Sequence, residues 1–135
     1  MKVIPIYIAG GINGFESPAA EYQQRPLSLD ELLVTHPSAT FIGKVKGDSM
    51  TGIGIFDGDL VIVDRSATIK NGQVIVANLN GEFVCKMIDL KRRLLLSSNN
   101  EYPDVVINQY DDFSIEGVVT YSIRCHDEAI NLCSR

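Results

Sequence analysis

The sequence predicts a mostly β protein: a compact antiparallel β domain with one short helix and an extended N-terminal arm. Three observations carry that expectation. From Thr40 onward, short apolar and β-branched runs alternate with clusters of Gly, Asn and Asp. Two of those runs flank Asn80-Gly81, the dipeptide that most favours a two-residue hairpin turn. Ahead of Thr40, only the stretch from Pro26 to Leu33 shows helical spacing.

Each element follows in order. Residues 1–26 are rich in Gly, Pro and Ala without a clean period, which reads as a mobile arm. Pro26-Leu27-Ser28 opens the helix, with Ser28 as its N-cap and Glu31 three residues later in a capping box. Leu29, Leu32 and Leu33 give it an apolar stripe, and His36-Pro37 ends it. Thr40–Val45 is the first strand of the domain and leads into a glycine-rich turn. Asp57-Gly58-Asp59 then feeds Leu60–Val63, a continuous apolar run of the kind buried on both faces. Gln73–Asn78 and Glu82–Met87 form the hairpin around Asn80-Gly81. Leu94–Ser97, Val105–Ile107 and Phe113–Tyr121 complete the sheet. The expected organisation is an arm over 1–26, a β domain over 27–125 and a C-terminal tail over 126–135.

Composition narrows the function. A hydrophobic share of 45% and a charged share of 21% over 135 residues are those of a globular chain. The net charge of −5 argues against a domain that grips the DNA backbone, so no direct sequence-specific DNA binding is expected. Lys91-Arg92-Arg93 reads as the solvated turn of a hairpin. Cys85, Cys125 and Cys133 are odd in number and lack paired metal-ligand spacing, which fits a reduced, cytoplasmic chain with no metal and no cofactor. The N-terminus is broken by Pro5 and falls short of a signal peptide, and no stretch reaches the length of a membrane span.

One pair of residues stands out. Ser49 lies in Gly47-Asp48-Ser49-Met50, ahead of Gly52 and Gly54, and Lys86 lies within Phe83-Val84-Cys85-Lys86-Met87-Ile88. With period two, Val84, Lys86 and Ile88 share one face of that strand, and Phe83, Cys85 and Met87 share the other. Neither face reads as solvated, so the ammonium is expected in a poorly hydrated site with a lowered pKa. A neutral amine can take the proton of a serine hydroxyl, which makes Ser49 a candidate nucleophile and Lys86 its candidate general base. Moving a lysine from about 10.4 to about 7 costs roughly 4–5 kcal/mol between its two protonation states. That is a large part of the about 5–15 kcal/mol by which small domains are stable. Asp48 reads as a turn residue bonding its own backbone, and neither His36 nor His126 is assigned a role.

Gly47-Asp48-Ser49-Met50, then Ile55 to Asp64, then Asn80-Gly81-Glu82-Phe83-Val84-Cys85-Lys86 resemble the LexA/UmuD family of self-cleaving serine proteases, with the closest likeness to its UmuD-like members. Phe15 to Tyr22 and His36 to Thr40 extend the resemblance, which runs from about Gly14 to about Tyr121. It implies a β domain of the LexA/UmuD C-terminal type and a Ser49–Lys86 dyad that cuts one bond in the chain's own arm. By register from Phe15 to Tyr22, that bond is Asn13–Gly14. The family usually has alanine or cysteine before the glycine, and Ala9–Gly10 offers that dipeptide four residues out of register. The resemblance also implies a homodimer and cleavage stimulated by a RecA filament on single-stranded DNA. The shortened product would join a UmuC-type Y-family polymerase in translesion synthesis after DNA damage. Two alternatives stay open: a non-cleaving dimeric scaffold of the same fold, and a repressor-type regulator. The residues before the domain are too few for a repressor's helix-turn-helix.

Overall fold

The computed structural model describes Lys2, Val3, Ile8, Gly10 and residues 27–127. The chain divides into two compact units, Met1–Pro37 and Ser38–Arg135. In the first unit, β1 (Lys2–Val3) pairs antiparallel with β2 (Leu27–Ser28), and α1 (Leu29–Leu33) follows directly. The Ser28 hydroxyl accepts the Glu31 backbone N–H at 3.1 Å, as the cap in the sequence requires. The short β1–β2 pairing carries no alternating pattern, so the sequence does not announce it.

The second unit is one seven-stranded antiparallel sheet. Its strands are β3 (Thr40–Lys44), β4 (Leu60–Asp64), β5 (Val74–Leu79), β6 (Glu82–Asp89), β7 (Leu94–Leu96), β8 (Val105–Val106) and β9 (Phe113–Ile123). They are arranged in the order β3-β4-β9-β5-β6-β7-β8. β5 and β6 pair from Val74↔Met87 to Leu79↔Glu82 around Asn80-Gly81, where both turn residues take positive φ (53° and 90°). That is the type I′ preference stated by the dipeptide. The basic cluster sits at the next turn, where exposed Arg92 pairs with Asp89 at 2.7 Å.

Two irregularities shape the sheet. β9 carries an extra residue opposite Ile62/Val63 of β4 and another opposite Val76/Ala77 of β5. Bulges bend the strand that holds them and raise its twist. At Gly117 a Cβ would stand 2.7 Å from Val63 Cγ1 and 2.8 Å from the Asp64 carbonyl oxygen, so only glycine lets β9 close on β4 here.

The core forms on both sides of the central strands. Val45, Met50, Ile55, Val61, Val63 and Val76 cluster on one side, with Cys85 and Met87 against them. Ile75, Ala77, Ile88, Leu95, Ile107 and Val118 cluster on the other, with Val84 against them. β6 therefore alternates with period two, as its sequence predicts. Phe83 departs from that expectation: it is 70% exposed, because it lies just past the hairpin turn.

Candidate active site

The segment from Val45 to Asp59 is a loop tied at its base. Val45 N–H donates to the Asp59 carbonyl and Gly58 N–H to the Val45 carbonyl, both at 2.8 Å. Gly47 N–H donates to Asp57 Oδ1 at 2.7 Å. Gly47 and Gly54 take positive φ (90° and 87°), a conformation costly for residues with a Cβ. Met50 is 1% exposed and fills the core, which fixes Ser49, its neighbour, at the rim of the loop.

An ion pair between buried Asp59 and exposed Arg124 holds the far side of this loop. Asp59 is 2% exposed and accepts from Phe56 N–H at 2.8 Å and from Arg124 Nε and Nη2 at 2.9 Å each. Arg124 also donates to the Gly54 carbonyl at 2.9 Å, and its guanidinium lies 4.1 Å over the Phe56 ring. The guanidinium hydrogen bond holds the Asp59 carboxyl below the usual aspartate range, against the opposing effect of burial.

Lys86 reaches the same region from β6. Ser49 and Lys86 both line a groove of about 460 Å³. Phe41, Gly43 and Val45, Val61 and Val76, and Phe83, Val84 and Cys85 line it with them. Lys86 is half-buried, and loss of water around the ammonium pushes its pKa below the ordinary lysine value. Burial raises the adjacent Cys85 thiol to about 11, so it stays protonated near neutrality. Lys86 Nζ donates to Ser97 Oγ at 2.8 Å and lies 5.4 Å from the Tyr102 ring centroid. β7 covers β6 only at Met87, Ile88 and Asp89. Among the described residues, no strand covers that edge of β6 from Glu82 to Lys86.

Residues 97–102 brace the serine loop. Ser98 N–H donates to the Ser49 carbonyl at 2.8 Å, and Gly52 N–H donates to the Ser98 carbonyl at 2.7 Å. Asn99 Nδ2 donates to the Asp48 carbonyl at 2.9 Å, and Tyr102 Oη donates to Asp48 Oδ1. The Asp48 carboxylate is held by Tyr102 and not by the backbone of its own turn, which corrects the expectation from its setting. None of Ser97, Ser98, Asn99 or Tyr102 stands out in the sequence. The signal that reaches Ser97 is the β6–β7 register, which becomes readable once Met87↔Leu96 is known.

Gly52 supplies a direct test of the brace. A Cβ there would meet Ser98 Oγ at 2.4 Å and the Ser98 carbonyl oxygen at 2.5 Å. Gly52→Ala is expected to push the serine loop off residues 97–102 and to speed hydrogen exchange at the Ser98 and Gly52 amides. Unchanged protection at both amides would show the brace to be unimportant.

Asn13–Gly14 and Ala9 of Ala9–Gly10 lie outside the described residues. His36 sits in the first unit and His126 near the end of the described chain; neither lines the groove. Cys85 is a free thiol, and the exposed Cys125 thiol donates to the Asp127 carbonyl at 3.3 Å. Among the described residues, no cluster of three His, Cys, Asp or Glu could hold a metal ion, and no helix is long and apolar enough to cross a membrane.

The mostly antiparallel β fold, a curled seven-stranded sheet with one short helix, agrees with the class found by comparison. The chain belongs to the peptidase S24-like family, whose model matches residues 5–120. Among individual relatives, it is 41% identical to Protein MucA of Salmonella typhimurium over 126 residues, which cover 91% of this chain and 86% of that one. It is 39% identical to Protein SamA of Salmonella typhimurium over 108 residues, 79% of this chain and 75% of that one. The LexA repressor of Psychromonas ingrahamii is 40% identical over 95 residues, 68% of this chain but 46% of the repressor.

Proposed function

We propose that this chain is a self-cleaving serine peptidase that cuts its own N-terminal arm with a Ser49–Lys86 dyad. The observation that carries this reading is the presence of Ser49 and a half-buried Lys86, its pKa lowered by dehydration, on one apolar groove. Family membership supports the same chemistry.

In the first step, neutral Lys86 Nζ takes the Ser49 hydroxyl proton as Oγ attacks the carbonyl carbon of Asn13. The resulting ammonium returns that proton to the Gly14 nitrogen as the peptide bond breaks, leaving an ester between Ser49 and residue 13. Water, deprotonated by Lys86, then hydrolyses the ester and restores the serine. The Ser49 backbone amide is the first candidate to stabilise the oxyanion. An extended arm segment can add to the uncovered edge of β6 by main-chain hydrogen bonds. Glycine after the cut bond removes a side chain where the serine must approach. Ala9–Gly10 is the second candidate bond, and its small apolar residue suits a groove lined by Val61 and Val76.

In this reading, a RecA filament on single-stranded DNA triggers cleavage after DNA damage. The shortened product then serves as the accessory subunit of a UmuC-type error-prone polymerase. A homodimer would let the arm of one subunit reach the groove of the other. The similarity to MucA and SamA over most of their lengths supports this role over that of a repressor.

The pH dependence follows from the base. Below its folded pKa, Lys86 is an ammonium and cannot accept the serine proton. Cleavage without RecA should therefore rise with pH and level off around a midpoint below the ordinary lysine value of 10.5. A rate that does not change with pH over that range would exclude Lys86 as the base.

A further inference from the structure

We propose that Ser97 is a positioning residue for Lys86, its hydroxyl holding the lysine head so that the amine faces Ser49. This inference rests on the self-cleavage reading above.

The placement follows from strand register. β6 and β7 pair as Asp89↔Leu94, Ile88↔Leu95 and Met87↔Leu96, and the ladder stops there. One step further along the same register sets Lys86 opposite Ser97. Directly opposed residues share a face of the sheet, and Nζ donates to Ser97 Oγ at 2.8 Å. β7 therefore ends where its next residue can present a hydroxyl to the lysine instead of an apolar side chain. The residue before it, Leu96, and the one after, Ser98, are also half-buried, so the hydroxyl is held by packed neighbours on both sides.

The same segment also reaches the nucleophile loop. Ser98 N–H bonds the Ser49 carbonyl, while Asn99 and Tyr102 hold Asp48. Ser97 and Ser98, adjacent in sequence, thus touch Lys86 and Ser49 respectively. A lysine carries its charge on four rotatable carbons. Without a partner at its head, its distance from Ser49 would vary with every rotamer.

The other groups around the ammonium do not supply that restraint. Cys85 is next along the strand and protonated, and Lys44 and Lys46, which also line the groove, offer the lysine head no acceptor. Tyr102 presents its ring, with its hydroxyl committed to Asp48, and that carboxylate forms no ion pair with Lys86. A neutral amine that gives one N–H to Ser97 keeps its lone pair pointing away from that oxygen and free for the Ser49 proton. Once protonated, the ammonium keeps the same acceptor.

The test compares pH–rate profiles of self-cleavage for the wild type, Ser97→Ala, Ser97→Thr and Lys86→Ala. In Ser97→Ala the plateau is expected to fall roughly 10- to 100-fold, the scale of a misplaced catalytic group. Its midpoint should move to lower pH, because the ammonium has lost an acceptor that favoured it. Ser97→Thr keeps the hydroxyl and should restore both. A merely structural role would change the folded yield and leave the midpoint in place. Wild-type plateau and midpoint in Ser97→Ala would overturn the proposal. An uncut wild type, or cleavage that persists in Lys86→Ala, would instead sink the dyad reading. In that case the Lys86 side-chain titration, followed by NMR, decides the matter for Ser97. A lower midpoint in Ser97→Ala supports it, and superimposable titrations overturn it.

Discussion

Ser49→Ala and Lys86→Ala should each leave a folded chain whose arm stays whole. Ser49→Ala removes the attacking oxygen but keeps the backbone carbonyl that accepts from Ser98, so the loop retains its brace. Lys86→Ala removes the base, and positioned proton transfer is commonly worth about 10²–10⁴ in rate. It leaves the pairing of β5 with β6 intact, because that ladder runs through main-chain groups. Stability should separate the two variants. Dehydration disfavours the Lys86 ammonium in the folded chain, a penalty fully present below its folded pKa and relieved as pH rises through it. Lys86→Ala removes that penalty, so its melting temperature near neutral pH should equal or exceed that of the wild type. A clear drop would mean that the lysine stabilises the fold, and its loss of cleavage would then say little about catalysis.

Asp59→Ala should be the most damaging single change to the fold. Asp59 is almost fully buried and accepts three hydrogen bonds, from Phe56 and twice from Arg124. Losing charge-assisted hydrogen bonds of this kind costs about 2 kcal/mol, since the 40% exposed Arg124 left behind can be hydrated, which for a unit of this size lowers the melting temperature by roughly ten degrees. The effect has a pH signature. The folded carboxyl titrates below its ordinary 3.8, so the stabilisation is complete above that value and is lost as pH falls through the folded pKa. The stability gap between the wild type and Asp59→Ala should therefore narrow in acid, as followed by denaturant titration at several pH values. A gap that stays constant down to the lowest pH would mean that Asp59 acts through packing and not through its charge.

The parts of this structure legible in the sequence are the local ones. Ser28 with Glu31 marked the start of the helix, Asn80-Gly81 fixed the β5–β6 register, and the alternation through Val84–Ile88 sorted β6 onto two core clusters. The same alternation placed Lys86 in poorly hydrated surroundings. The contacts that organise the candidate site are long-range. Tyr102 reaches Asp48 across 54 residues and Arg124 reaches Asp59 across 65, and no pattern in either stretch names its partner. Ser97 was hidden for a different reason. The turn between β6 and β7 lacks the paired Asn-Gly signal and uses Arg93 at φ 53°, so the register that sets Ser97 opposite Lys86 was not readable. Phe83 shows the reverse error. It read as one of the lysine's buried apolar neighbours, yet it is exposed at the open edge of β6 beside the groove.

The most direct test of self-cleavage is intact-mass spectrometry of the purified protein. The wild type, Ser49→Ala and Lys86→Ala are incubated with RecA, single-stranded DNA and a nucleoside triphosphate, with a mildly alkaline sample lacking RecA alongside. The wild type should lose residues 1–13 under both conditions, or residues 1–9 if Ala9–Gly10 is the bond, while both variants stay whole. A wild type that stays whole under both conditions, or a Ser49→Ala chain that loses the same fragment, would contradict it.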